Sequence, residues 1–322
     1  MHRIVCSEYG PPSSLSLVEE PDPTPGPHEA VVAVAAAGVN YADALTVAGT
    51  YQIKIPTPFT PGMEMAGSVV AVGDGVTEVA VGDRVLAMIF GAYASHVVVP
   101  AASLTRVPDA LDLDRAAGLL QSYCTMWFSL TRRTTVTAGA SVLVLGAGGG
   151  VGLAAIDVAV ALGARVIAAA SSTDKLEAAR AAGAADLIDY TVEDLKVRAK
   201  ELSGGGVDLV VDPVGGPMAE PALRATGWYG RFLVIGFAGG GIPKLPANLV
   251  LLNNRTLIGV DWGAWMGRDP AGQRAVLQEV LDAVGDGRLH PPAPHRVPLA
   301  DAGATLQAAL DRQLVGKTVL VP

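Results

Sequence analysis

Two textures of hydrophobic and polar positions divide the chain. In the first, short apolar or alternating runs are separated by glycine and proline turns, at residues 2–6, 13–18, 29–37, 64–72, 83–88 and 94–99. A period of two suits strands with one buried face. Gly73-Asp74-Gly75 and Gly82-Asp83 supply turns, and 19–27 holds four prolines. Residues 40–47 read as a short helix or turn, followed by an irregular loop, 49–61, with prolines at 56, 58 and 61. Many short strands joined by glycine turns predict a compact β-barrel-like domain.

Near Pro108 the period changes. Residues 112–130 carry helical spacing and start with Asp112 and Asp114, where the helix dipole favours acids. Val142 to Leu145 is a continuous apolar run, as in a strand buried on both faces. A glycine-rich turn follows, then a helix whose apolar residues Val151, Ala154, Ala155, Val158 and Leu162 recur at helical spacing. Gly163 stops it, and 165–170 is a second strand. Helices at 174–182, 192–202, 218–225 and 248–252 then alternate with strands at 185–188, 207–211, 230–235 and 256–260. That alternation predicts an α/β, doubly wound parallel sheet of the Rossmann type. An amphipathic helix at 269–286 comes next. The last stretch, 291–322, returns to short strands around one helix, 299–313, and is assigned back to the first domain.

The glycine turn carries the first chemistry. An anion is favoured at a helix N-terminus, where backbone N–H groups and the dipole point at it. Gly149 lets the backbone approach a pyrophosphate, and Gly152 lets the helix pack on its strand. Gly150 and Val151 complete the turn, and the usual first glycine of G-x-G-x-x-G is Ala147. The strand–turn–helix–strand context makes this a dinucleotide site. An NAD site places a carboxylate at the end of the second strand, whereas here the run is Ala168-Ala169-Ala170-Ser171-Ser172. Asp174 lies past the strand, as an N-terminal helix charge. The missing carboxylate points to NADPH.

Composition narrows the rest. A chain of 322 residues exceeds one small core, so two domains are expected. Half of its residues are hydrophobic and the net charge is −8 with no Lys/Arg run, which argues against a nucleic-acid partner. Cys6 and Cys124, distant in sequence, do not suggest a disulfide framework, and a cytoplasmic setting is expected. Residues 151–170 contain Asp157, Gly163 and Arg165, so they read as helix then strand, not a membrane span.

Several motifs in register go further: GVNYADALTVAGTY, PGMEMAGSVVAVGDGV, VGDRV, GAGGGVGLAAIDVA, GAADLIDY, DLVVDPVGG, GRFLVIGFAGG, LLNNRTLIGVDWG and GKTVLVP. Over nearly the whole chain they resemble the zinc-independent quinone oxidoreductase branch of the medium-chain dehydrogenase/reductase superfamily. The resemblance implies a GroES-like catalytic domain at 1–121 and 258–322 and a Rossmann domain at 122–257. It implies an active site in the cleft between them, and a homodimer.

It also implies site residues. No metal is expected. Asn40 and Met63 stand where zinc members have ligands, and His2, His28, His96, His290 and His295 form no ligand cluster in sequence. Asn40, Asp43 and Tyr51 match residues near the substrate, Tyr51 and Asn40 as donors to a developing enolate or quinol oxygen. Each has a plainer role open to it: an Asx-turn for Asn40, a helix cap for Asp43, core filling for Tyr51. Lys175 and Tyr190 match 2′-phosphate contacts, beside the small donors Ser171 and Ser172. Gly236, Phe237 and Ala238 would flank the nicotinamide, and Thr125 would reach its carboxamide. Asn253 and Lys317 would lie near the cofactor's phosphates or ribose. Cys124 reads as a buried small side chain. The expected activity is NADPH-dependent reduction of quinones or other α,β-unsaturated carbonyls. The alternatives are a 2-enoyl thioester reductase or a non-catalytic NADPH-binding protein.

Overall fold

The computed structural model describes residues 1–322. The chain forms two units, one of Met1–Gln121 with Pro292–Pro322, the other of Ser122–Pro291. In the first unit, β1 (His2–Val5) and β2 (Ser16–Glu19) pair as an antiparallel ribbon. The long β3 (Glu29–Gly38) pairs with both β4 (Glu64–Val72) and β6 (His96–Pro100). β5 (Arg84–Met88) joins β4, and the short β7 (Thr105–Arg106) joins β5. The chain's last segment returns to this sheet with β14 (His295–Pro298) and β15 (Thr318–Val321), giving the order β14-β15-β3-β4-β5-β7. β15 runs antiparallel to the end of β3, with Val319 opposite Gly38 and Leu320 opposite Ala37. That register sets Lys317 beside the residues that follow β3. Ile4, Val32, Met65, Tyr93 and Leu320 lie in one core beneath the sheet.

The helix expected at 40–47 is α1 (Tyr41–Val47), with Asn40 at its N-cap. The single helix expected at 112–130 is broken. It becomes α2 (Leu113–Ala116), a π-helical turn Leu120–Cys124, α3 (Thr125–Phe128) and a second π-turn Ser129–Arg133. Gly118 lies in the break, and Gln121 N–H donates to the Glu64 carboxylate of β4 at 2.9 Å. A backbone amide tied across to another element is incompatible with an undistorted ladder.

The second unit holds six parallel strands: β8 (Ser141–Leu145), β9 (Arg165–Ala170), β10 (Asp186–Asp189), β11 (Val207–Asp212), β12 (Thr226–Val234) and β13 (Thr256–Gly259). Their order is β10-β9-β8-β11-β12-β13. Sequential strands run outward in both directions from β8, so the order reverses between β8 and β11. Ligands of open α/β sheets bind outside the strand C-termini at such a switch point. The connecting helices are α4 (Gly150–Ala161), α5 (Thr173–Ala181), α6 (Leu195–Leu202), α7 (Ala219–Ala225) and α8 (Ala247–Leu251).

This unit continues past the expected boundary at 257, through α9 (Trp262–Arg268) and α10 (Pro270–Gly285). The spacing of the sequence does not predict helix α9. Its N-cap is Asp261, whose carboxylate accepts from Ala264 N–H at 3.0 Å. The reason for the extension is packing on α3. Trp262 and Trp265 lie 5.4 and 4.4 Å from the Phe128 ring, and Trp127 Nε1 donates to Glu279 of α10 at 2.7 Å. Asp157, buried in α4, accepts from the Tyr123 hydroxyl at 2.9 Å and from His290 N–H at 2.7 Å. One carboxylate therefore ties residues just inside the entry and the exit of this unit. Helix α11 (Ala302–Leu310) packs in the first unit on α1. No helix is long and apolar enough to cross a membrane.

Candidate active site

At the start of α1 the first unit buries four polar side chains together. Asn40 is 8% exposed, Lys317 9%, Asp43 1% and Glu64 0%. Lys317 Nζ donates to Glu64 Oε1 at 2.6 Å, to Asn40 Oδ1 at 2.7 Å and to Val39 O at 3.2 Å. Asn40 Nδ2 donates to the same Glu64 oxygen at 2.9 Å, and Gln121 N–H takes the other, Oε2. Such burial of charge is tolerated only when each ion is paired and hydrogen-bonded. The pairing relies on Gly38, because a Cβ there would fall 2.4 Å from Glu64 Oε1 and 2.5 Å from Ala117 O.

Asp43 adjoins this group and caps α1. Its Oδ2 accepts from Asn40 N–H at 2.8 Å and from the Tyr93 hydroxyl at 2.9 Å, while Oδ1 is buried without a hydrogen bond. Burial raises its pKa from 3.8 to about 7, against the lowering effects of those two donors and of Lys317. The Tyr93 phenol is pushed well above its ordinary value, first by burial and then by Asp43. Asp43 thus has the cap role, and Asn40's side chain is held by Glu64 and Lys317. Tyr51 lies half-buried in the bend after α1, its N–H donating to Leu45 O at 3.1 Å.

In the second unit Ala147 to Gly152, Ser171, Ser172, Tyr190 and Gly236 to Ala238 follow the C-terminal ends of strands. Gly146 follows β8 with φ +58, so the left-handed residue of the turn precedes Ala147, and alanine fits where a first glycine is usual. A Cβ on Gly152 would lie 2.2 Å from Gly146 O, so this glycine permits close helix–strand packing. A Cβ on Gly149, the N-cap of α4, would meet only Gly146 O, at 3.6 Å. The space beside the Gly149 backbone is open to a pyrophosphate. Ser171 and Ser172 follow β9, Lys175 sits in the first turn of α5, and Tyr190 follows β10 with its N–H on Ala170 O. The Lys175 stem crosses the loop, since a Cβ on Gly148 would fall 2.4 Å from Lys175 Cβ. Gly236, Phe237 and Ala238 follow β12, and Ala238 N–H donates to Pro213 O beyond β11. Thr125 opens α3 and is buried, whereas Asn253, expected near the cofactor, sits in a left-handed turn leading into β13, at the N-terminal edge of the sheet and opposite the glycine turn, because Arg255 ties this segment to Thr226 O at the start of β12.

Lys317 is placed differently from the expectation. All three of its ammonium hydrogens go to Val39, Asn40 and Glu64, so it joins the candidate catalytic group in the first unit. Glu64 and Tyr93 were not singled out from the sequence. The signal for Glu64 was present: a lone acid in the apolar run Met63-Glu64-Met65-Ala66 needs a buried partner. Nothing local marks Tyr93, because its partner lies fifty residues earlier. No group of three His, Cys, Asp or Glu residues is arranged to hold a metal ion.

Residues 26–109 match the alcohol dehydrogenase GroES-like domain and residues 150–284 match the zinc-binding dehydrogenase family. Within the first of these matches Asn40 Oδ1 accepts from Lys317 Nζ, and position 63 is a methionine. The chain is 37% identical over 319 residues to mouse quinone oxidoreductase-like protein 2, covering 98% of this chain and 91% of the relative. A homologue of that protein from Nematostella vectensis is 36% identical over 324 residues, covering 98% and 88%. Among solved structures, Escherichia coli quinone oxidoreductase complexed with NADPH superposes with a TM-score of 0.91 at 28% identity, both chains being fully covered. The Thermus thermophilus quinone oxidoreductase, also solved with NADPH, gives 0.85 at 33% with the same coverage. With its sheet order, its glycine turn and these relatives taken together, the chain belongs to the quinone oxidoreductase branch of the medium-chain dehydrogenase/reductase superfamily.

Proposed function

We propose that the protein reduces quinones or other α,β-unsaturated carbonyls with NADPH and without a metal. As a member of its branch it is an NADPH-dependent oxidoreductase. The bound cofactor supplies a hydride to the electrophilic carbon of the acceptor. The chain's own residues bind, orient and stabilise. Backbone N–H groups of Gly150, Val151 and Gly152 at the start of α4 hold the pyrophosphate, which the Cβ-free Gly149 lets approach. Lys175, with the hydroxyls of Ser171, Ser172 and Tyr190, holds the 2′-phosphate by charge-assisted hydrogen bonds. Gly236, Phe237, Ala238 and Thr125 orient the nicotinamide end. As negative charge builds on the acceptor oxygen, the Asn40 amide and the Tyr51 hydroxyl donate to it, a well-placed donor contributing about 2.7–4 kcal/mol. Solvent then protonates the enolate.

Asn40 carries this reading. It stands at a metal-ligand position, its Oδ1 is held by Lys317, and only one of its two Nδ2 hydrogens is used, by Glu64. A donor in place of a Lewis acid is the chemistry that arrangement supports. The thioester alternative has no such support. Lys54, the one cation of the loop 49–61, donates to Gly49 O and lies 5.8 Å from the Tyr9 ring.

Turnover on a panel of quinones, enones and an enoyl thioester, with NADPH or NADH and after exhaustive chelation, tests the function. Activity with quinones or enones that prefers NADPH and survives chelation supports it. Activity that tracks bound zinc, or none on any acceptor, contradicts it. We also propose a homodimer, through the exposed edge of β13, where Leu257 is 39% exposed. A monomer mass by light scattering at micromolar concentration contradicts that assembly.

A further inference from the structure

We infer that Lys317 and Glu64 are positioning residues that lock the side-chain amide of Asn40, so that it meets the acceptor as an N–H donor and not as a carbonyl. The inference rests on the reading of Asn40 as the oxygen's donor and adds what makes it one.

An asparagine amide is symmetric in shape but not in polarity, and either end can face a substrate unless its partners choose. Here both partners have a single polarity. An ammonium only donates, and Lys317 Nζ lies 2.7 Å from Oδ1. A carboxylate only accepts, and Glu64 Oε1 lies 2.9 Å from Nδ2. Turning the amide over would set an NH₂ against the ammonium and a carbonyl oxygen against the carboxylate. The two ions also hold each other at 2.6 Å, which closes a triangle.

The triangle is fixed from behind as well. Gln121 N–H holds Glu64 Oε2, so the carboxylate cannot rotate away. Gly38 and Gly118 leave no spare room, since a Cβ on either would fall within 2.4 Å of Glu64 Oε1 or 2.9 Å of Lys317 Cγ. One Nδ2 hydrogen of Asn40 remains without an acceptor in the protein. A buried ion pair adds little net stability over apolar residues of similar volume, so stability alone does not account for this one. Its distinctive product is the orientation of one amide.

The experiment is a double-mutant cycle on turnover, with NADPH affinity measured beside it. Asn40→Ala is expected to lower kcat roughly 100-fold. Lys317→Met is expected to lower kcat about tenfold or more in the parent enzyme, yet to change it less than about twofold in the Asn40→Ala background. NADPH Kd stays within about threefold of the parent throughout. If Lys317→Met does not fold, the same cycle is run on Glu64→Gln/Lys317→Met, which removes both charges together and leaves no unpaired ion. Losses that add in full overturn the inference. So does a large rise in NADPH Kd with Lys317→Met, which returns Lys317 to the cofactor. If Asn40→Ala alone leaves kcat unchanged, the donor reading itself falls and takes the inference with it.

Discussion

At the start of α4 the second unit prepares for an anion with backbone: Gly146 turns left-handed, Gly149 leaves its flank open, and Gly152 lets the helix close on the strand. At the start of α1 the first unit does the opposite. It buries Lys317, Glu64, Asp43 and Asn40, side chains drawn from as far as 277 positions apart, around the amide that we propose as the donor. The first design works through the exposed N–H groups and dipole of a helix end. The second must overcome desolvation, several kcal/mol per ion, and holds only while every partner is present. Binding can be distributed over many N–H groups, whereas a reaction needs one donor at one place. The two regions therefore should respond to mutation in different ways.

The largest expected effect is on stability in the first unit. Lys317→Met leaves Glu64 charged, buried and unpaired, and should cost about 3–5 kcal/mol. Glu64→Gln/Lys317→Met should recover most of that loss. Chemical denaturation of both proteins checks it, and a similar loss in both would mean that packing, not charge, holds the cluster. A second test uses pH. The folded pKa of Asp43 is raised from 3.8 to about 7, so the folded state holds a proton that the unfolded chain has released. Its contribution is fully present below pH 3.8 and is lost as pH rises through about 7. The full swing is on the order of 4 kcal/mol. Asp43→Asn should flatten the stability profile in that window, and an unchanged profile would assign the dependence to other groups. The smallest effect belongs to the backbone site. Lys175→Ala removes one charge-assisted hydrogen bond, worth about 1.5–3 kcal/mol, so NADPH affinity should fall roughly ten- to hundredfold. NADH affinity should hardly change, and equal losses for both cofactors would remove Lys175 from the 2′-phosphate.

The same contrast decides how much was legible in the sequence. The strand–turn–helix of the second unit was readable because its parts are consecutive: an apolar strand, glycines at fixed offsets and a helix, all within 141–172. The sheet around it followed from the regular alternation of helical and strand periods. The cluster was not readable in this way. Asn40 and Asp43 could be named from their family motif, but the partners that define them, Glu64 and Lys317, arrive through the pairing of β3 with β4 and β15. No local period encodes that pairing. The helix expected at 112–130 failed for a similar reason, since the Gln121 amide binds a carboxylate from another strand. The domain boundary expected at 257 missed α9 and α10 because aromatic packing of Trp262 and Trp265 on Phe128 carries no sequence spacing.

The division of labour itself is tested most directly by Asn40→Ala, with kcat for a quinone and Kd for NADPH measured on the same preparation. The account predicts kcat lowered roughly 100-fold with the cofactor bound as tightly as before. Unchanged kcat with weakened NADPH binding would contradict it, and would make Asn40 part of the cofactor site.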